Sequence, residues 1–197
     1  DFRIGELMGI LKARGILDNT IVVITSDHGE HFGEHDLMDH KMSLYEEVIH
    51  TPLIIRYPPG VASGVRVRQQ VQSVNILPTI LSLSGLNSPE NISSRPLPLR
   101  NASSVQRYAF SEFERPGMFL DVMKKTFPQA DSSPFDRALK AVRTQRHKLI
   151  WSSDGKHELY DLAVDPHEEK NLYKKNPEAA GELLKVLQAF NSGELPR

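Results

Sequence analysis

Cysteine is absent from all 197 residues. Disulfides, thiolate zinc sites and cysteine nucleophiles are therefore excluded within the chain, while either redox compartment stays open. Long apolar runs are also absent. None approaches the roughly 20 residues needed to cross a bilayer, so no membrane span is expected. Charge of one sign is not in excess either: 24 Lys and Arg face 25 Asp and Glu, a formal net charge of −1. The short basic stretches read as solvated loops, and no nucleic-acid partner is expected. The opening Asp1-Phe2-Arg3-Ile4 has neither an initiator Met nor a signal-peptide pattern, so further residues are expected upstream. What is present is a globular balance, 39% hydrophobic and 25% charged, in a chain long enough for a core and a small satellite.

Ile4, Leu7, Met8 and Leu11 fall at helical spacing and predict a helix from about Phe2 to Arg14, closed by Gly15. Asp18-Asn19 turns the chain into Thr20-Ile21-Val22-Val23-Ile24-Thr25, whose unbroken β-branched run suits a strand in a parallel sheet buried under helices. Residues 51–57 supply a second short strand, and 65–74 suit a more exposed one. A helix over 75–83, capped by Ser73 or Asn75 and stopped by Gly85, follows. Residues 87–104 are rich in Pro, Ser, Asn and Arg and mark the expected boundary between a 1–105 core and a 106–197 subdomain. Beyond it, 139–144, 147–151 and 157–162 read as antiparallel strands, with Asp154-Gly155 as a hairpin turn. Asn176-Pro177 then opens an amphipathic helix through Leu183, Leu184, Leu187 and Phe190. The expected fold class is α/β, a mostly parallel sheet with helices, plus a small antiparallel α+β subdomain.

The densest chemistry lies just after the first strand. Four of the eight histidines (His28, His31, His35 and His40) are interleaved with Asp27, Glu30, Glu34, Asp36 and Asp39, and Lys41 follows. Ligands bind at such strand ends in open α/β sheets. Asp27 offers a carboxylate and His28 an imidazole nitrogen to a metal, and Gly29 lets the backbone turn beneath them. The same residues are also compatible with a solvated acidic loop. His31-Phe32-Gly33-Glu34-His35 matches the inverted zinc-protease pattern, which requires a helix; Gly29 and Gly33 each weaken one by roughly 1 kcal/mol relative to Ala.

These residues resemble the sulfatase family of the alkaline-phosphatase-like superfamily. The likeness rests on Asp18-Asn19-Thr20, the apolar strand, Ser26-Asp27-His28-Gly29-Glu30, and Lys41 four residues before Tyr45-Glu46-Glu47. It continues through Thr51-Pro52-Leu53, Asn75-Ile76-Leu77-Pro78-Thr79, Ala141-Val142-Arg143-Thr144, Lys148-Leu149-Ile150 and Glu158-Leu159-Tyr160-Asp161-Leu162. The resemblance covers essentially the whole chain and is similar to the C-terminal part of such enzymes. It implies a partial alkaline-phosphatase-like core and hydrolysis of sulfate esters of carbohydrates or small aryl alcohols. It implies Asp27 and His28 as ligands of a divalent cation, most readily Ca2+, with Mg2+ or Mn2+ as alternatives. It implies Lys41 as a catalytic contact to sulfate oxygens, with His40 beside it as a further substrate contact. His31 and His35 are expected at the cleft mouth or in solvent. A periplasmic, secreted or lysosomal setting is also implied.

The family's nucleophile is a formylglycine made from Cys or Ser in a C/S-x-P-x-R segment, and no such segment occurs here. The usual aspartate before the Ile-Leu-Pro-Thr helix is Asn75, read as a change of helix cap. The expectation is that the N-terminal half of the same enzyme supplies the formylglycine, and that this chain alone is inactive. A phosphodiesterase or phosphonate monoester hydrolase of the same superfamily, and a non-catalytic fragment or binding module, are the competing functions. The sequons Asn91-Ile92-Ser93 and Asn101-Ala102-Ser103 fit a secreted or lysosomal protein and arise as easily by chance.

Overall fold

The structure is a computed structural model that describes residues 1–92, 94–99 and 108–194. In chain order its elements are α1 (Phe2–Ala13), β1 (Val22–Thr25), β2 (His31–Phe32), β3 (Met38–Asp39), α2 (Glu46–Ile49), β4 (Leu53–Arg56) and α3 (Ile76–Leu83). They continue with β5 (Ala109–Phe113), α4 (Gly117–Thr126), β6 (Leu139–Arg143), β7 (His147–Ser152), β8 (Glu158–Asp161) and α5 (Pro177–Asn191). They group into two compact units. One comprises Asp1–Asp27, Pro52–Gln69 and Ser73–Ser104; the other comprises His28–Thr51, Gln70–Gln72 and Val105–Arg197. Among the described residues, no helix is long and apolar enough to cross a membrane.

In the first unit, α1 ends as its sequence predicts. Gly15 takes φ +69°, and the amides of Gly15 and Ile16 donate back to the carbonyls of Lys12 and Leu11 at 2.9 and 3.2 Å. β1 and β4 pair antiparallel, with Thr25 opposite Leu53 and Val22 opposite Arg56. The expected parallel pairing is thus replaced among the described residues. The chain leaves β1 at Thr25 and returns beside that same end at Leu53, so the strands must run in opposite directions. β1 is also only half-buried. Arg56 closes the pair by donating to the Leu17 carbonyl at 2.8 Å and pairing with Asp18. α3 forms as expected and is stopped by Gly85 at φ +72°, but Asn75 does not cap it. Its side-chain amide donates instead to the Arg95 carbonyl at 2.9 Å, which ties the following loop to the helix. Residues 65–72 contain no strand, since no described neighbour offers them a ladder. In both sequons at least one residue lies outside the described residues.

The second unit is built on the antiparallel sheet β5-β6-β7-β8. Strand alternation gives this sheet two apolar faces. On one, Val142, Leu149 and Leu159 pack with Ala180, Leu183 and Leu187 of α5. On the other, Leu139, Ala141, Ile150 and Tyr160 pack with Leu44. Each such fully buried aliphatic side chain contributes about 2 kcal/mol. This second face is why His28–Thr51, although it precedes β4 in sequence, groups with the C-terminal residues. Asn176 caps α5 by accepting from the Ala179 amide at 3.2 Å. The sequence pattern does not predict β2, β3, α2, β5 or α4. At β5, Gln72 accepts the Phe110 amide at 2.8 Å, so a side chain satisfies backbone there.

Candidate active-site segment

The histidine-rich segment folds as a short hairpin in the second unit. β2 and β3 pair antiparallel, with His31 opposite Asp39 and Phe32 opposite Met38. The next pair outward in that register is Glu30 with His40, and Glu30 Oε2 lies 3.2 Å from His40 Nδ1. The turn is strained. Of the five described non-glycine residues with positive φ, four are His35, Asp36, Asp39 and Met42. Such conformations cost about 1 kcal/mol or more each and persist where the surroundings fix them.

Fixing comes first from Gly29, whose amide donates to the Val48 carbonyl at 2.8 Å. A Cβ at Gly29 would collide with the backbone carbonyl of Glu47. The glycine is thus required by close approach of two backbones and not by a left-handed turn.

His28 and His40 stack with ring centroids 4.0 Å apart. His28 Nδ1 lies 2.8 Å from the Gly29 carbonyl oxygen, and His40 Nδ1 lies 2.8 Å from Asp39 Oδ1. A carbonyl and a carboxylate only accept, so each Nδ1 is the donor in these contacts. An imidazole is a donor that divalent cations accept, and on this ground His28 fits one. A nitrogen donor suits Mn2+ and other borderline ions better than Ca2+, whose ligands are oxygens.

Lys41 Nζ donates to Asp39 Oδ2 at 2.7 Å and sits 5.4 Å from the centre of the Phe119 ring. Its hydrogen bond, with the His40 amide, holds the Asp39 carboxyl below the usual carboxylate range. One of the three ammonium donors is thereby committed, and the side chain remains 40% exposed.

His31 and His35 are placed differently from expectation. His31 is fully buried, its Nε2 2.7 Å from Ser43 Oγ, and burial lowers its pKa. It is a neutral core residue facing neither cleft nor solvent. His35 stacks on Tyr45 at 3.7 Å between centroids, and its Nε2 is 3.7 Å from Glu47 Oε2. The inverted zinc-protease reading fails here, because a strand and a left-handed turn carry the two histidines and no helix joins them. A cavity of about 320 Å3 beside this turn is lined by Glu34, His35, Asp36, Glu47, His167 and Glu169, with Gly33. Its carboxylates make it unsuited to sulfate.

A buried ion network anchors the segment to the sheet. Lys148, fully buried, lies 3.2 Å from Glu46 Oε1 and 2.9 Å from Glu168 Oε1. Arg143 meets Glu46 through Nε at 3.0 Å and Nη2 at 2.9 Å. Glu168 Oε2 also accepts the Glu46 amide at 2.6 Å, fixing the start of α2. Burial alone would raise the Glu46 carboxyl, but Lys148 and Arg143 more than offset it and hold it low. At Glu168 burial prevails over Lys148, and the pKa is raised.

A family model described as N-sulphoglucosamine sulphohydrolase, C-terminal, matches residues 33–190. The chain belongs to this sulfatase family. Among curated relatives, it is 33% identical over 180 residues to an N-acetylglucosamine-6-O-sulfatase of Bacteroides thetaiotaomicron, covering 89% of this chain and 30% of the relative. It is 34% identical over 194 residues to mouse arylsulfatase K, covering 96% of this chain and 33% of that protein. The sulfatase chain therefore spans about a third of the length of these relatives. A solved structure in complex with its substrate D-glucosamine-2-N,6-O-disulfate superposes with a TM-score of 0.78 at 28% identity, over 96% of this chain and 37% of that one. The phosphonate monoester hydrolase of Agrobacterium radiobacter superposes with a TM-score of 0.78 at 25% identity, over 99% and 39%. The α/β, alkaline-phosphatase-like fold class is the one these neighbours share.

Glu30, Asp39 and Glu46 fall within segments the sequence marks, but neither they nor Glu168 has a role legible there. Only Lys148 carried a usable signal. In a strand it shares a face with Ile150, which places its ammonium on a core-facing row.

Proposed function

We propose that this chain carries the cation- and sulfate-holding side of a sulfuric ester hydrolase site, with the nucleophile supplied by residues outside these 197. The observation that carries the reading is the pairing of Lys41 with Asp39 and the stacking of His28 on His40 beside it. Asp27 and His28 would hold a divalent cation, Ca2+ by family resemblance, which when bound supplies a Lewis acid to the ester oxygens. Lys41 keeps ammonium donors beyond the one given to Asp39. These bind the sulfate oxygens and gain strength as charge builds on them while the S–O bond breaks. His40, held between Glu30 and Asp39 and adjacent to Lys41 in sequence, would orient the substrate. The substrate class is a sulfated carbohydrate or small molecule. The relatives named for N-acetylglucosamine 6-O-sulfate chemistry, and the neighbour holding a disulfated glucosamine, support an amino-sugar sulfate.

Titration calorimetry of the chain with CaCl2 and MnCl2, then with inorganic sulfate, tests the reading. Cation binding near the millimolar range is expected, lost in Asp27→Ala, and sulfate binding is expected to be lost in Lys41→Met. No turnover of 4-nitrophenyl sulfate is expected from this chain alone. Cation binding unaltered in Asp27→Ala, or turnover abolished by that change, would overturn it. The phosphonate monoester hydrolase neighbour favours a second reading, phosphoryl transfer at the same residues. Preference for inorganic phosphate over sulfate in the same titration would select it.

A further inference from the structure

We infer that His28, Glu30 and His40 form a nitrogen-rich site for a borderline divalent ion of the Zn2+ class. One ligand atom from each of the three residues lies within 4.8 Å of the others. Donors around one zinc ion, at about 2.0–2.2 Å each, sit some 3.3–4 Å apart. Imidazole lone pairs lie in the ring planes, so binding also requires the stacked His28 and His40 rings to swing apart.

Three further features point the same way. The hairpin register, His31 opposite Asp39, sets Glu30 and His40 side by side independently of any ion. His28 Nδ1 lies 2.8 Å from the Gly29 carbonyl oxygen, and His40 Nδ1 lies 3.2 Å from Glu30 Oε2 and 2.8 Å from Asp39 Oδ1. Histidines that ligate zinc are held in this way through the other ring nitrogen, which fixes tautomer and orientation. Lys41, the nearest cation in sequence, is paired with Asp39, so its charge is partly neutralised. Two imidazoles and one carboxylate are a donor set that Zn2+ takes with a solvent position left over, and that Ca2+ does not favour.

The site rests on the proposed function in one respect: it shares His28 with the Asp27–His28 pair. The two ions therefore compete. Zn2+ would draw His28 away from Asp27 and fasten His40 next to the sulfate-binding Lys41, making it an antagonist of the proposed site.

Calorimetry with ZnCl2, together with NMR of the histidine side chains, tests the inference on this chain. One equivalent of Zn2+ is expected to bind in the micromolar range. The His28 and His40 ring signals should shift, with His147, His157 and His167 unmoved. Glu30→Gln and His40→Ala should each weaken Zn2+ roughly tenfold or more. Asp27→Asn should leave Zn2+ affinity within about twofold while removing the Ca2+ response. The absence of saturable binding, shifts centred on other histidines, or unchanged affinity in His40→Ala would overturn the site. So would loss of Zn2+ binding in Asp27→Asn, because the ion would then occupy the Asp27–His28 pair. No Ca2+ response in the unaltered chain, with Zn2+ binding intact, would count against the proposed function and leave this site standing.

Discussion

Replacing Lys148 with Met keeps the length of the side chain and removes its charge. Glu46 keeps Arg143 as a partner, whereas Glu168, fully buried, is left without a cation. Removing one member of a buried pair costs about 3–5 kcal/mol, since the remaining charge stays desolvated. Glu168 can limit this cost by taking up a proton. Neutralising a carboxyl with an ordinary pKa of about 4.3 costs about 3.7 kcal/mol at pH 7 and about 1 kcal/mol at pH 5, at 1.36 kcal/mol per unit. The sign follows from the wild type. The Glu168 pKa is already raised by burial, so the stability this group contributes is lost as pH rises through its folded value. Loss of Lys148 raises that value further and makes ionisation of the buried carboxyl more costly. Urea unfolding followed by Trp151, the chain's one Trp and a residue of β7, reports on this unit. The midpoint should fall by roughly 2 M at pH 7, and by much less at pH 5, for a slope of about 2 kcal/mol/M. Adding Glu168→Gln should remove most of the pH dependence. A loss below about 1 kcal/mol at pH 7, or an equal loss at both pH values, would refute the reasoning.

Gly29→Ala should destabilise the second unit by about 2 kcal/mol or more in the same assay, because its Cβ meets a backbone carbonyl that has no room to move. A change below about 0.5 kcal/mol would show that the Glu47 backbone yields. His31 should stay neutral as pH falls below 6.5, since burial lowers its pKa; the stability it contributes is lost as pH falls from the unfolded value through the folded one. An NMR titration placing His31 at or above 6.5 would contradict that account.

Local rules made much of this chain legible. Gly15 and Gly85 ended their helices, Asn176 capped α5, and Asp154-Gly155 turned between β7 and β8, because each signal acts within a few residues. The Asp-His pair and Lys41 were legible as motifs. β1 misled, since its β-branched run reports burial propensity but not strand direction, which the return of the chain at Leu53 decides. Asn75 misled for a similar reason. Its side chain is used by Arg95, twenty residues on, and not by the helix it precedes.

By itself, then, the sequence determined the family, the helices α1, α3 and α5, the strands β1, β4 and β6 to β8, and the residue types gathered in the histidine-rich segment. Tertiary structure alone decided what those residues do. Burial took His31 out of the candidate site, the β2–β3 register placed Glu30 beside His40, and Asp39 restrained Lys41. The anchor for the whole segment is Glu46 held by Arg143 and Lys148, residues about a hundred positions away. Periodicity reports which face a side chain takes. Only packing brings two distant faces together and sets which charges share a low-dielectric interior.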